Sequence, residues 1–145
     1  LPLLRGEVER VRDAVFAEIN YHATYEPARV VRSKRYKLIR QYGPANTPRP
    51  ANVDDSPAKE LMNGAGYFDI PRAREQLIDL HVDPTERLNF IEDSAYGEVY
   101  AALSAELDQW MADSEDPLRA GPVTRPDGSR INLHDAYSAE EQTYE

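Results

Sequence analysis

Apolar and polar residues alternate from position 14 to position 22. Val15, Ala17, Ile19 and Tyr21 fall on one side of an extended chain, and Phe16, Glu18, Asn20 and His22 on the other. A period of two marks a half-buried strand. The Val15–Tyr21 set reads as its core face, and the other side lines up a carboxylate, an amide and an imidazole. Glu26-Pro27 breaks the run. Residues 28–32 and 36–40 read as a second and a third strand, and the short Ser33-Lys34-Arg35 link predicts a hairpin between them. Residues 43–57 are rich in Pro, Asn and Asp and read as a loop. A short helix follows, with Ser56 as N-cap and Pro57 at its first position, ending at Asn63-Gly64. Residues 74–80 give a fourth strand, and Asp83-Pro84 turns the chain.

The period changes to that of a helix over residues 94–113. Tyr96, Val99, Tyr100, Leu103, Leu107, Trp110 and Met111 recur at spacings of three, four and seven, a single apolar stripe. Such a stripe reads as core, each large side chain contributing about 1.5–3 kcal/mol on burial. After Pro117 the pattern dissolves, and residues 119–145 read as an irregular tail. Strands followed by one long helix predict an α+β fold: a small antiparallel sheet of about four strands, with the long C-terminal helix packed across one face.

Composition narrows the functional classes. At 145 residues the chain has room for one domain of ordinary size. Its 17 basic and 26 acidic side chains leave a net charge of −9, which opposes nonspecific nucleic-acid binding. That charge also opposes a polyanionic glycan unless cations gather locally. Arg29, Arg32, Lys34, Arg35, Lys37 and Arg40 do gather in one stretch, which reads equally as the solvated side of a hairpin. No apolar run reaches the ~20 residues of a membrane span. An internal or C-terminal fragment would explain the missing initiator Met and leader.

Few residues suit chemistry. With no cysteine, thiol catalysis, disulfides and thiolate zinc sites are excluded. His22, His81 and His134 are scattered, and no pair has helical metal-ligand spacing. Asp54-Asp55 lies in a loop and reads as solvated, with Asp55 beside a helix N-terminus. No Gly-rich phosphate cradle or Gly-x-Ser-x-Gly elbow occurs. The remaining constellation is Glu18, Asn20 and His22. It could hydrogen-bond a sugar or anionic group, or simply face water.

Several segments, in order, resemble one known family. Val15-Phe16-Ala17-Glu18-Ile19-Asn20-Tyr21-His22, then Pro27-Ala28-Arg29-Val30-Val31-Arg32 and Arg35-Tyr36-Lys37-Leu38-Ile39, look like the start of the sulfatase C-terminal subdomain. Gln76-Leu77-Ile78-Asp79-Leu80 and Asp83-Pro84-Thr85-Glu86-Arg87-Leu88-Asn89 are similar to the family's Glu-Leu-Tyr-Asp-Leu…Asp-Pro-x-Glu-x-x-Asn signature, with Gln76 and Ile78 where Glu and Tyr are usual. Residues 107–117 look like the closing helix, and residues 1–6 like the segment leaving the catalytic domain. The insert at residues 56–66 resembles the heparan N-sulfatase (sulfamidase) branch.

The resemblance implies a domain order: residues 1–12 end the catalytic domain or linker, 13–118 form the C-terminal subdomain, and 119–145 are the tail. It implies a parent hydrolase of sulfate esters or N-sulfo groups on glycans, using a formylglycine nucleophile and calcium held elsewhere in the parent. No cofactor is expected in this segment, which has neither cysteine nor Ser-x-Pro-x-Arg and is expected to be inactive alone. Its expected partners are the catalytic domain of the same chain and a sulfated sugar. Glu18, Asn20, His22, Tyr25 and Arg29 become the expected substrate-binding residues, with His22 as donor and Glu18 as its orienter. A periplasmic, secreted or lysosomal setting follows from the family alone. Two other classes stay open: the equivalent subdomain of a phosphate- or phosphonate-ester hydrolase, and a stand-alone acidic or glycan-binding module.

Overall fold

A computed structural model describes residues 1–141. Strands β1 (Ala14–Tyr21), β2 (Tyr25–Ser33), β3 (Tyr36–Gln41) and β4 (Glu75–Asp79) form one antiparallel sheet in the order β1-β2-β3-β4. Helix α1 (Pro57–Gly64) lies in the β3–β4 connection, and helix α2 (Gly97–Asp113) follows β4. Contacts divide the chain into two compact units. The first comprises residues 1–17, 29–39 and 75–114; the second comprises 18–28, 40–74 and the chain from Glu115 onward.

In the first unit, Val31, Leu38, Leu77 and Ile78 from the strands are buried, as are Leu103, Leu107 and Met111 from α2. The helical stripe read from the sequence is thus core. Its first turn is a 3-10 turn, Ser94–Tyr96, capped by Asp93, whose Oδ1 accepts from the Ala95 amide at 2.9 Å. Phe16 of β1 stacks on Trp110 of α2, ring centroids 5.1 Å apart.

That stacking puts Phe16, and not Val15, against the helix at the start of β1. Val15 and Ile19 are 44% and 42% exposed, and Ala17 is exposed as well, whereas Phe16 is half-buried. A period of two separates two faces but does not say which one meets the helix.

The turn after β4 is organised by Asp79, Asp83 and Asn89. Asp79 is fully buried. It accepts from Arg35 Nε and Nη2 at 3.0 and 2.7 Å, from the His81 amide at 3.0 Å and from the Tyr96 hydroxyl at 3.2 Å. Asp83 accepts from the Arg87 and Leu88 amides and from Thr85 Oγ1. Asn89 accepts from the Leu77 amide and donates to the Glu75 carbonyl. The Asp-Pro-x-Glu-x-x-Asn string is therefore a set of loop ties.

In the second unit, β2 runs through Pro27 instead of starting after it. Pro27 has no N–H to give, but its carbonyl accepts from the Tyr42 amide at 2.9 Å, so the pairing survives. Opposite it stands Gly43, where a Cβ would lie 3.3 Å from the proline Cδ. The glycine leaves room for the ring.

Helix α1 starts as the sequence predicts, with Ser56 Oγ accepting from the Lys59 amide at 3.2 Å. The Lys59 side chain is fully buried. Its Nζ donates to Asp55 Oδ1 at 2.7 Å and to the Tyr137 carbonyl at 2.6 Å, and lies 4.5 Å from the Tyr137 ring centroid. These partners offset the cost of desolvating the ammonium. Asp55 also accepts from Ser138 Oγ, so this exposed loop carboxylate, just ahead of α1 as expected, also ties the helix to the tail.

Among the described residues no strand or helix follows Pro117–Arg119, but this part of the chain is packed. Ile131, Asn132 and Ala136 are buried, the Asn132 amide donates to the Ala23 carbonyl at 2.8 Å, and Arg49 Nη1 donates to the His134 carbonyl at 3.0 Å. The end of the acidic stretch expected at residues 140–145 lies outside the described residues.

Candidate functional site

The second half of β1 and the tail form an open groove of about 510 Å³ within the second unit. One side is the strand: Glu18, Asn20 and His22 all line it. A rise of about 3.3 Å per residue spreads these three over about 13 Å, making them a row and not a cluster. Glu18 and His22 are exposed and Asn20 is half-buried. The row sits at the strand's end: β1 stops at Tyr21, and the His22 amide donates to the Thr24 carbonyl at 3.3 Å.

The other side of the groove comes from Pro126, Ser129, Arg130 and Ile131. A turn aims them. The Ser129 amide and hydroxyl donate to the Pro126 carbonyl at 3.1 and 2.6 Å, and Gly128 takes φ 76°, a left-handed conformation that side-chain-bearing residues avoid. Sequence reasoning missed Ser129 and Arg130. The available signal was Pro126-Asp127-Gly128, a turn string whose position opposite β1 no periodicity reveals.

Tyr25 and Arg29 stand apart from the groove lining. Tyr25 holds its wall: its hydroxyl accepts from the Val123 amide at 2.9 Å, and its ring lies 4.8 Å from that of Tyr21. Tyr21 in turn donates to the Val123 carbonyl at 2.5 Å. Arg29 is 0% exposed inside β2 and belongs to the first unit.

The groove therefore offers a carboxylate, an amide, an imidazole, a hydroxyl and a guanidinium. Such a set suits hydrogen bonding to a sugar and charge pairing with an anionic substituent. It holds no activated nucleophile. Among the described residues no group of three or more His, Asp or Glu could hold a metal ion. Formylglycine forms from a Cys or Ser in Cys/Ser-x-Pro-x-Arg, and the sequence has neither a cysteine nor Ser-x-Pro-x-Arg.

The titration behaviour points elsewhere. The Arg35 hydrogen bonds, opposed by burial and helped by the His81 amide, hold the Asp79 carboxyl down at about 2. Burial and the Asp79 contact push the Tyr96 phenol up. The Leu88 amide, together with Thr85 and the Arg87 amide, lowers Asp83. These are saturated structural groups.

Comparison with known proteins finds likeness to sulfatases. No protein-family model matches the chain. It is 27% identical over 138 residues to an ulvan-active sulfatase of Formosa agariphila, covering 90% of this chain and 28% of that protein. It is 28% identical over 123 residues to a Delta 4,5-hexuronate-2-O-sulfatase of Bacteroides thetaiotaomicron, covering 82% of this chain and 20% of that protein. The solved structure of a 2-O GAG sulfatase superposes with a TM-score of 0.56 at 25% identity, covering 99% of this chain and 26% of the other. A further structure, solved in complex with its substrate D-glucosamine-2-N,6-O-disulfate, shares the fold at a TM-score of 0.53 and 17% identity, covering 79% of this chain and 19% of the other. The chain is similar to sulfatases along most of its own length. It spans about a fifth to a quarter of theirs.

Proposed function

We propose that this chain is the C-terminal subdomain of a sulfatase and that its β1–tail groove walls the substrate pocket of the parent enzyme. One observation carries the reading: nearly the whole chain is similar to proteins named as sulfatases, while covering only 20–28% of their length. On this reading the nucleophile and calcium come from the rest of the parent. This segment supplies binding groups: Arg130 for a sulfo or carboxylate oxygen, Asn20 and His22 for hydroxyls, and Glu18 as an acceptor. The exposed apolar residues at the start of the first unit, Leu1, Leu3 and Leu4, are the kind of surface that a missing catalytic domain would cover.

The names of the two relatives favour an O-sulfated, uronate-containing glycan as substrate. The resemblance at residues 56–66 favours an N-sulfo group instead. The test assays the full-length parent, with calcium, on matched O-sulfated, N-sulfated and phosphorylated sugars. Release of O-sulfate supports the reading, and N-sulfate release alone moves it to the sulfamidase branch. Phosphate release without sulfate release overturns it.

A further inference from the structure

Six cations cluster in sequence between Arg29 and Arg40, and the structure gives five of them distinct surroundings. Arg29 is buried, Arg35 pairs with Asp79, and Lys37 pairs with Glu86. Arg32 and Lys34 remain exposed at the end of β2, and among the described residues no carboxylate pairs with them. They meet two more exposed cations, Arg10 and Arg12, from the segment ahead of β1. Together the four line an open groove of about 430 Å³ in the first unit, beside Val15 and Ser33. The one carboxylate lining it is Asp13, held by Arg10 at 2.7 Å.

Four cations around one depression contrast with a chain of net charge −9. Gathering like charges is unfavourable unless an anion is to be met, and guanidinium forks match sulfate and carboxylate oxygens in pairs. We infer that this groove is a second glycan-binding site, taking an anionic stretch of the polysaccharide other than the sugar that is cut. It would share no residue with the β1–tail groove. The inference rests on the sulfatase reading for its ligand class, but binding here is measured without turnover.

The test uses the full-length parent and its Arg32→Ser/Lys34→Ser variant. Binding of a heparin-derived decasaccharide and of a disaccharide is measured by calorimetry over a range of salt. The expected result is a decasaccharide affinity about tenfold weaker in the variant, with a salt dependence shallower by about one to two charges. Disaccharide binding and disaccharide turnover should stay unchanged. Equal decasaccharide affinity in the two proteins would overturn the inference. So would a lower melting temperature with parallel loss of disaccharide turnover, because the cations would then be holding another part of the parent. If the parent releases no sulfate but the decasaccharide result stands, the sulfatase reading fails and the glycan site survives. An Arg12→Ser variant, on a different segment, should weaken the decasaccharide in the same sense.

Discussion

Asp79 and His22 are both polar residues on or just beyond strands of one sheet, yet their surroundings are opposite. Asp79 is buried, and four donors from Arg35, His81 and Tyr96 occupy its two oxygens. His22 is exposed on a groove with Glu18 and Asn20, facing Ser129 and Arg130. A saturated polar group holds structure and has little capacity left for a ligand. A polar row that opens on a concavity is placed where a ligand can reach it. Strong pKa perturbation marks the first kind here, so in this chain it points away from the candidate site.

Removing the saturated groups should have the largest effects. In the full-length protein, Asp79→Ala should destabilise the β4 turn by about 2–4 kcal/mol, since it strands donors that are partly buried. Hydrogen exchange of the amides from Leu77 to Phe90 should accelerate accordingly. Unchanged protection would show that the corner is not organised by this carboxylate. Lys59→Met should cost about 1–3 kcal/mol, because it leaves the Tyr137 carbonyl without its ammonium. Exchange over residues 131–138 reports it, and protection equal to wild type would detach the tail from Lys59.

A pH series separates charge from packing. The folded Asp79 carboxyl lies at about 2, below the ~3.9 of an unfolded Asp. Its pKa is depressed, so its stabilising contribution is present above about pH 4 and fades as pH falls toward 2. The urea-midpoint gap between wild type and Asp79→Asn should therefore narrow from pH 5 to pH 2.5. A constant gap would assign the effect to shape and not to charge. The smallest effect is expected at the surface: Glu86→Gln, breaking the pair with Lys37, should cost less than about 1 kcal/mol and less still in high salt.

Much of the fold is legible in the sequence because it depends on local rules. Period two gives β1 and the β2–β3 hairpin, the Ser56-Pro57 cap gives α1, and the stripe from Tyr96 to Met111 gives α2. What is not legible depends on pairing at a distance. The core face of β1 is decided by Trp110, nearly a hundred residues away. Pro27 reads as a breaker until Gly43 makes room for it. For the site, the strand half is visible as Glu18, Asn20 and His22, while Ser129 and Arg130 come from a segment with no periodicity at all. The family resemblance places Arg29 among the substrate-binding residues, and in the structure it is buried inside β2.

The reading of this chain as the wall of another domain's pocket is tested most directly by steady-state kinetics of the full-length parent on an O-sulfated disaccharide. His22→Ala and Arg130→Ala are each compared with wild type. The expected outcome is KM raised about tenfold or more, the loss of a charge-assisted or ring-donated hydrogen bond, with kcat changed far less and the melting temperature unmoved. Kinetics indistinguishable from wild type in both variants would contradict it and leave the groove an ordinary solvated surface.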